Sequence, residues 1–271
     1  MRKSKFLLPA FLSVAALGLA ACSSGDAQSS ADSTTSESTA LEKLQESGVL
    51  SIGTEGTYAP FTYHDPETGD LTGYDVEVIE AVADYLGVTA EFSEVKWDGI
   101  FAGLESGRYD VVANQVSVNP EREALYDFSS PYATATPVVV VATGNDSITA
   151  IGDVEGATAA QSITSNWADL ARGAGAEVTP VDGFTESVAA LRDGRVDLTF
   201  NDNLAVLEYF QTTEDDSVKV AFELPEDESV QAFATRKGSG LAPLLTEALE
   251  ALAADGTLAE IGAKYFGADI S

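Results

Sequence analysis

The sequence predicts an α/β protein with two similar lobes, each a mostly parallel sheet flanked by helices. Three observations lead to this prediction. From Val49 onward, short apolar strand patterns alternate with amphipathic helix patterns, as in chains that build parallel sheets. A stretch of fifteen residues is echoed 87 positions later, which indicates two lobes. The residues before about position 40 show neither pattern, so the fold is expected to exclude them.

The N-terminus predicts a signal peptide over residues 1–21. It has a basic start, an apolar stretch over Phe6–Leu19 and small residues before Cys22. The ending Leu19–Cys22 resembles a bacterial lipobox, which implies cleavage before Cys22 and a lipid on its sulfur. The alternative is an ordinary signal peptide with an incidental cysteine. The Ser/Thr/Ala-rich residues that follow predict a flexible, lipidated tether over 22–43.

Composition excludes several functions. The chain has 44 acidic and 14 basic residues, a formal net charge of −30, and this field repels nucleic acids and anionic lipid headgroups. We therefore expect no nucleic-acid partner. Cys22 is the only cysteine, so its lipidation would leave no thiol for a disulfide, a zinc site or thiol catalysis. No metal and no cofactor are expected.

Strand and helix patterns alternate along the rest of the chain. The strand patterns are VLSIG, VTAEFSEV, YDVVAN, PVVVVATG, VDLTFN and SVQAFATR. The helix patterns are DVEVIEAVADYLG, WDGIFAGLESG, TSNWADLARGAG, FTESVAALRDG and NLAVLEYFQT, followed by Leu241–Ala254 and Leu258–Tyr265. In the first helix pattern, apolar residues from Val76 to Leu86 share one face, and Gly87 is a stop signal.

The internal echo predicts which residues meet between the lobes. FAGLESGRYDVVANQ (101–115) and VAALRDGRVDLTFND (188–202) share Leu-x-x-Gly-Arg-x-Asp, then apolar residues, then Asn. The alternative is that any helix-Gly-strand unit would look similar. In open α/β sheets, ligands bind outside the carboxyl ends of strands. If the lobes face each other, these polar strand ends share a cleft: Asn114, Gln115, Asn201 and Asp202.

A single cation follows the first of these strand ends. Asn119 and Pro120 predict the start of a short helix that carries Arg122. The planar guanidinium matches a carboxylate, and Asp202 in the other lobe offers the opposite charge, so the pair suits an α-amino acid zwitterion. A helix N-cap is a second role for Asp202. The alternative for Arg122 is a surface salt bridge with Glu121, Glu123 or Asp127.

Several stretches together resemble the amino-acid-binding proteins of ABC importers. They are GTEGTYAPFTY, GYDVEVIEAVADYLG, WDGIFAGLESGRYDVVANQVSVNPER, YDFSSPY and GRVDLTFND. The resemblance covers nearly all of 44–267. It implies the type II periplasmic-binding-protein fold, with two crossing strands as the hinge, expected near Thr136–Val141 and Gln231–Thr235. Lobe one is then expected at 44–137 and 232–271, and lobe two at 138–231.

The same resemblance implies residues that bind the backbone of an amino acid. Arg122 and Ser117 would bind the ligand carboxylate. Thr164 and Ser165 would meet that carboxylate at a helix N-terminus, where free N–H groups attract anions. Asp202 would take the ammonium group.

Five further residues would surround the rest of the ligand. The resemblance implies that Tyr58 and Trp97 form apolar walls for the ligand, although both could be core residues. It also implies that Glu55 contacts the amino or side-chain end of the ligand. Asn114 and Gln115 replace residues that are small in much of the family, so histidine and lysine are poor candidates as ligands. They could hydrogen-bond a second carboxylate or an amide.

The closest resemblance is to cystine- and cysteine-binding members, through AAQSITSNWADLA and the GRVDLTFND region. Glutamate, glutamine or another polar amino acid is the alternative ligand. The expected partners are an ABC permease and the membrane, the latter through the lipid alone, with the monomeric protein on the extracytoplasmic face. A dehydratase-like enzyme on the same fold is a remote alternative, because the only histidine, His64, lies in a turn-like stretch.

Overall fold

The structure, a computed structural model, describes residues 39–271. Its strands are β1 Val49–Thr54, β2 Thr57–Tyr58, β3 Thr62–His64, β4 Leu71–Thr72, β5 Thr89–Glu94, β6 Val111–Val112, β7 Tyr126–Phe128, β8 Ala133–Ala135, β9 Pro137–Ala142, β10 Thr158–Gln161, β11 Glu177–Pro180, β12 Leu198–Asp202, β13 Val218–Glu223, β14 Ser229–Gln231 and β15 Ala234–Arg236. Its helices are α1 39–47, α2 Tyr74–Leu86, α3 Trp97–Glu105, α4 Pro120–Glu123, α5 Asn166–Gly173, α6 Phe184–Arg192, α7 Asn203–Thr213, α8 Leu241–Asp255 and α9 Thr257–Phe266.

Two five-stranded sheets of the same design organise these elements. The first has the order β5-β1-β6-β15-β7 and the second β11-β10-β12-β9-β13. In each sheet the first three strands are parallel, and only the fourth strand, β15 or β9, runs against its neighbours. The predicted two-lobed α/β architecture with mostly parallel sheets is therefore confirmed.

A short antiparallel pair carries the chain between the sheets. β8 (Ala133–Ala135) pairs with β14 (Ser229–Gln231), just before the chain enters β9 on the way out and β15 on the way back. The residues SVQAFATR, expected as one strand, form two strands in two different sheets for this reason. The segment Thr136–Val141, expected to cross, lies mostly within the second sheet, because β9 pairs there with β12 and β13. The exact lobe boundaries stay predictions.

The echoed segments form the same unit in both lobes. After α3, Gly107 adopts φ 71° and its N–H bonds to Leu104 O, while the N–H of Arg108 bonds to Gly103 O. After α6, Gly194 adopts φ 64°, and the bonds recur from Gly194 to Leu191 O and from Arg195 to Ala190 O. Both helices thus end in a Schellman motif, for which a left-handed glycine is needed.

In both units the aspartate of the repeated pattern bonds to a residue of the neighbouring strand, β1 in the first lobe and β10 in the second. In the first lobe, Asp110 donates its N–H to Ser51 O, and its carboxylate accepts from the Ser51 hydroxyl at 2.5 Å. In the second, Asp197 donates to Thr158 O and accepts from the Thr158 hydroxyl at 2.7 Å. The echo therefore marks equivalent structure in the two lobes, as predicted.

Helix α1 begins inside the range expected to be tether. Ala40 and Leu44 are one helical turn apart, and both are buried in the core of the first lobe with Leu241 and Leu245 of α8. Their burial explains why the fold starts earlier than position 44. Residues 1–38, with the expected signal peptide, Cys22 and most of the tether, lie outside the described residues. Within 39–271, no helix is long and apolar enough to cross a membrane.

Candidate functional site

A cavity lies between the two lobes, at the carboxyl ends of four strands. Including its mouth to solvent it measures about 580 Å³. In each sheet the cavity lies where the strand order reverses, beside β1 and β6 in the first sheet and beside β10 and β12 in the second. Open α/β sheets bind ligands at this point. Its lining residues are Glu55, Thr57, Tyr58, Trp97, Asn114, Gln115, Gln161, Ser162, Ser165, Asn166, Trp167, Gly183, Phe184, Ser187 and Asn201.

Glu55 is a largely buried carboxylate in the cavity wall. Its Oε2 accepts a hydrogen bond from Asn114 Nδ2 at 2.7 Å, and its backbone N–H donates to Asn114 Oδ1 at 2.8 Å. The Trp97 N–H reaches its other oxygen at 3.3 Å. Burial raises the pKa of Glu55 to about 7, against the lowering effect of the Asn114 and Trp97 bonds. Glu55 can therefore change its charge near neutral pH.

Two residues of the cavity lining carry buried polar atoms without hydrogen-bond partners in the described part of the chain. Neither atom of the Gln115 side-chain amide, nor the indole Nε1 of Trp97, has a hydrogen-bond partner among residues 39–271. Gln115 is 6% exposed and Trp97 is 8% exposed, so water reaches neither of them freely. A buried polar group without a partner costs about 1–3 kcal/mol. The Gln115 amide and the Trp97 indole N–H therefore lack the hydrogen bonds that buried polar groups normally make.

Arg122 is a buried cation beside the cavity rather than in its lining. As predicted, Asn119 caps α4 by accepting from the Arg122 N–H at 2.9 Å, and Pro120 is in its first turn. The guanidinium donates to Ser117 O at 2.8 Å and lies 5.2 Å from the centroid of Trp97, which does line the cavity. Burial lowers the pKa of Arg122 to about 10.

Arg122 does not form the surface ion pairs considered as its alternative. Within the described part of the chain, no carboxylate makes a salt bridge with it, and only 8% of it is exposed. A buried cation that lacks a counter-charge is costly. Ser117 contributes its carbonyl oxygen to Arg122 and pairs with Gln231 in an isolated bridge, so it too lies outside the lining.

Asp202 is buried at the end of β12 and caps a helix. Its Oδ1 accepts from the Ala205 N–H at 2.7 Å, which starts α7. Its Oδ2 lies 2.8 Å from the Tyr58 hydroxyl, and that hydroxyl is also 2.6 Å from Asn201 Oδ1. Burial raises the pKa of Asp202 to about 6. The N-cap role is therefore realised, and Asp202 touches the cavity through its neighbours Tyr58 and Asn201.

Thr164 and Ser165 have different surroundings. Ser165 lines the cavity and caps α5, accepting from the Ala168 N–H at 3.1 Å. The hydroxyl of Thr164, in contrast, donates to Asp98 Oδ1 at 2.8 Å, and its N–H reaches the same oxygen at 3.2 Å. Asp98 belongs to α3 in the first lobe, so Thr164 contacts the opposite lobe instead of the cavity.

These contacts hold the two lobes together over the cavity. Besides Thr164 and Tyr58, Lys96 at the start of α3 forms an ion pair of 2.5 Å with Asp182, in the loop after β11. Three separate contacts therefore join residues from the two lobes in a closed arrangement.

Six of the ten residues predicted from the sequence line the cavity, and several other lining residues were not predicted. Gln161 is the last residue of β10 and Ser162 follows it, a strand end like the one that precedes Asn114 and Gln115, so the strand-end rule could have found them. Phe184 and Ser187 come from the first turns of α6 and carry no comparable signal. The six candidates in the lining are Glu55, Tyr58, Trp97, Asn114, Gln115 and Ser165, whereas Ser117, Arg122, Thr164 and Asp202 lie around it.

Comparison with known proteins identifies the family. The profile of bacterial extracellular solute-binding proteins, family 3, matches residues 50–268. The chain belongs to this family. It is 47% identical over 268 residues to the L-cystine-binding protein TcyA of Bacillus subtilis (strain 168), a match that covers 98% of this chain and 99% of that protein. The expected relationship to amino-acid-binding proteins of ABC importers, with cystine-binding proteins among the similar relatives, is confirmed.

Two solved structures share the fold. The unliganded open L-cystine solute receptor of Neisseria gonorrhoeae is 44% identical, with a TM-score of 0.57, covering 86% of this chain and 98% of that one. An ancestral arginine-binding protein bound to arginine is 37% identical, with a TM-score of 0.75, covering 81% of this chain and 99% of that one. The more similar sequence gives the lower TM-score, as expected if the lobes of this family member are closed and those of the open receptor are apart.

Proposed function

We propose that this family member is the extracytoplasmic substrate-binding component of an ABC importer and that its ligand is L-cystine or L-cysteine. The ligand would bind in the cavity between the lobes and be delivered to the membrane permease. The observation that carries the proposal is the set of buried, unpartnered polar atoms at the cavity, the Gln115 amide and the Trp97 indole N–H, with the unpaired Arg122 cation beside them.

The charges around the cavity suit an amino acid. Arg122 would donate charge-assisted hydrogen bonds to the ligand carboxylate, each worth roughly 1.5–3 kcal/mol. Glu55 and Asp202 are the buried acids available for ammonium groups, from the first and the second lobe respectively. Cystine carries two carboxylates and two ammonium groups, so its second half would need further partners. The amide of Gln115 offers both a donor and an acceptor there.

The proposal of cystine rests on relatives as well as on the cavity. The relatives named for L-cystine are 47% identical in Bacillus subtilis and 36% identical in Escherichia coli. Glutamate or glutamine stays the alternative, because an amide such as Gln115 can also bond a second carboxylate or an amide.

A thermal-shift screen followed by calorimetry tests this proposal. L-cystine in excess should raise the melting temperature, since a ligand that binds only the folded state stabilises it. The same sample with a reductant distinguishes cystine from cysteine, because a chain with one cysteine has no internal disulfide to lose. Stabilisation by glutamate or glutamine alone would favour the alternative. No response to any polar amino acid would contradict the proposal altogether.

The proposed location depends on residues outside the described part. Residues 1–21 would act as a signal peptide and Cys22 as the lipid attachment site, with a monomeric binding domain held at the membrane. Replacing Cys22 with Ser should release the protein into the medium, measured by immunoblotting of cell and medium fractions. Retention at the membrane would contradict the lipid anchor and leave the ligand proposal untouched.

A binding role is also proposed over an enzymatic one. His64, the only histidine, is exposed and bonds to Glu94 at 3.0 Å, outside the cavity lining. Recovery of the ligand unchanged after prolonged incubation, measured by mass spectrometry, is the expected result. Conversion of the ligand would favour the dehydratase-like alternative.

A further inference from the structure

Asp75 is a buried carboxylate that connects the cavity to the start of the crossing strands. It lies in the first turn of α2 and has no exposed surface. One of its oxygens, Oδ2, accepts hydrogen bonds from the backbone N–H of Gln115 and from the hydroxyl of Tyr132, the latter at 2.8 Å. Its other oxygen has no hydrogen-bond partner in the described residues. Asp75 itself does not line the cavity.

The backbone of Gln115 explains why such an anchor is needed. Gln115 has φ 50°, the left-handed region that residues with a side chain rarely adopt. Among residues 39–271, the only other non-glycine residue with positive φ is Glu214, at the exposed C-terminal end of α7. Gln115 is instead 6% exposed and follows β6 at the cavity. Strained backbone of this kind persists when the surroundings hold it.

The residue type at position 115 is itself informative. Glycine would adopt this backbone without cost. The chain has glutamine there, and the glutamine amide lies at the cavity without a partner. The strained conformation therefore presents a side chain to the ligand site, and the bond from Gln115 N–H to Asp75 fixes the direction in which that side chain leaves the backbone.

The second donor to Asp75 extends this connection towards the hinge. Tyr132 directly precedes β8, and its N–H bonds to Gln231 O at 2.9 Å in β14. The Tyr74 hydroxyl, beside Asp75 in α2, donates to Tyr132 O at 2.7 Å. Asp75 thus accepts one bond from the cavity loop and one from the residue that directly precedes the crossing pair.

We propose that Asp75 is a positioning residue for ligand binding, which acts by holding the backbone of Gln115 so that the Gln115 amide reaches the ligand. The inference rests on the proposed function and deepens it by naming the residue that sets the geometry of one ligand contact. Tyr132 donates to the same oxygen, and its hydroxyl also lies close to the Gln115 backbone N–H, whereas the direct hydrogen bond of that N–H goes to Asp75.

Calorimetry with L-cystine tests the proposal on four variants. Asp75→Asn keeps the size of the side chain but replaces the carboxylate with a weaker, neutral acceptor for the Gln115 and Tyr132 bonds. Its amide nitrogen would take the place of Oδ1, which has no hydrogen-bond partner in the described residues. Asp75→Asn should lower affinity at least fivefold, and Asp75→Ala, where it folds, should lower it further. Tyr132→Phe removes the other donor to Oδ2 and leaves the bond from Gln115 N–H to Asp75 in place, so it should lower affinity less than Asp75→Asn does. Gln115→Gly, in which the left-handed backbone needs no support, should weaken binding by itself.

The double variant separates positioning from general structure. In the Gln115→Gly background, Asp75→Asn should change affinity less than twofold, since no side chain is left to position. An equal loss in the wild-type and Gln115→Gly backgrounds, or unchanged affinity in a folded Asp75→Asn protein, would overturn the inference while leaving the proposed function in place. Failure of the wild-type protein to bind L-cystine would overturn both.

Discussion

The two echoed units end at the same cavity but present different chemistry to it. Up to the strand they agree: helix, Schellman glycine, and an aspartate bonded to the hydroxyl of the next strand. At the strand end they differ. In the first lobe Gln115 has left-handed backbone and an amide without partners. In the second lobe Asp202 has extended backbone, with φ −78°, and its carboxylate caps α7.

The difference suggests a division of roles between the lobes. The first lobe carries the unpartnered polar atoms of Gln115 and Trp97 and the unpaired charge of Arg122. Three polar residues of the second lobe already have partners within that lobe: Gln161 bonds to Thr199, Ser165 to Ser162, and Asp202 to Ala205. We therefore expect the first lobe to recognise the ligand and the second lobe to close over it.

Removal of Arg122 should have the largest effect on ligand affinity, and it tests the recognition role of the first lobe. Arg122→Ala is expected to lower affinity for the amino acid a hundredfold or more, equivalent to about 2.7 kcal/mol, because the ligand carboxylate loses its counter-charge. Isothermal titration calorimetry measures the change. Arg122→Lys is the matched control, since it keeps the charge but loses the planar fork, and it should recover part of the affinity.

An unchanged affinity in Arg122→Ala would remove this residue from the site. Its effect would then be limited to packing against Trp97 and Phe101, where the guanidinium lies 5.2 and 5.4 Å from the ring centroids. Thermal unfolding of the ligand-free variant distinguishes the two cases, because a packing role lowers stability without a specific loss of binding.

Glu55 should make the stability of the ligand-free protein depend on pH. Its pKa is raised from 4.5 to about 7 by burial. Between these two pH values Glu55 is mostly protonated in the folded state and mostly ionised in the unfolded chain. The sign follows: this contribution to the free energy of unfolding falls as pH rises, by about 2 kcal/mol between roughly pH 5 and pH 6.5. Glu55→Gln should flatten that part of the profile in urea titrations.

The control for Glu55 comes from an acid on the surface of the same lobe. Glu94→Gln changes a side chain that is 45% exposed and bonded only to His64, so it should leave most of the slope in place. If stability depended on pH equally steeply in Glu55→Gln and in the wild-type protein, that pH dependence would have to come from other buried acids. Asp75 is one of them, because burial also raises its pKa to about 7.

Much of this site could be predicted from the sequence, and the exceptions share a cause. The ends of β6 and β12 and the cap at Asn119 were predictable, because they depend on local pattern and on the parallel sheet. Thr164 was placed with the ligand but bonds to Asp98, a contact that exists only because the lobes close. The left-handed backbone of Gln115 was not predictable either, since its anchor, Asp75, is 40 residues away.

Asp202 should show a smaller and separable effect. Asp202→Ala is expected to lower the free energy of unfolding by about 1 kcal/mol through loss of the α7 cap, whereas Asp202→Asn keeps a capping residue and should change it by a few tenths. Both should lower affinity about tenfold if the carboxylate faces the ligand ammonium. If Asp202→Asn bound the ligand with wild-type affinity, the role of Asp202 would be limited to capping α7. The two strand ends would then differ in function, with Gln115 alone contacting the ligand.

The weakest expected effect concerns closure of the second lobe over the first. The side chains of Lys96 and Asp182 are 72% and 63% exposed, so their ion pair is worth about 0.2–1 kcal/mol. Because it joins the two lobes, Lys96→Ala should lower affinity up to about fivefold by disfavouring the closed state, and high salt should abolish the difference. Arg195→Ala removes a similarly exposed pair within lobe two and should leave affinity unchanged. Equal behaviour of the two variants would mean that closure does not depend on this contact, and that the second lobe is held by Tyr58 and Thr164 instead.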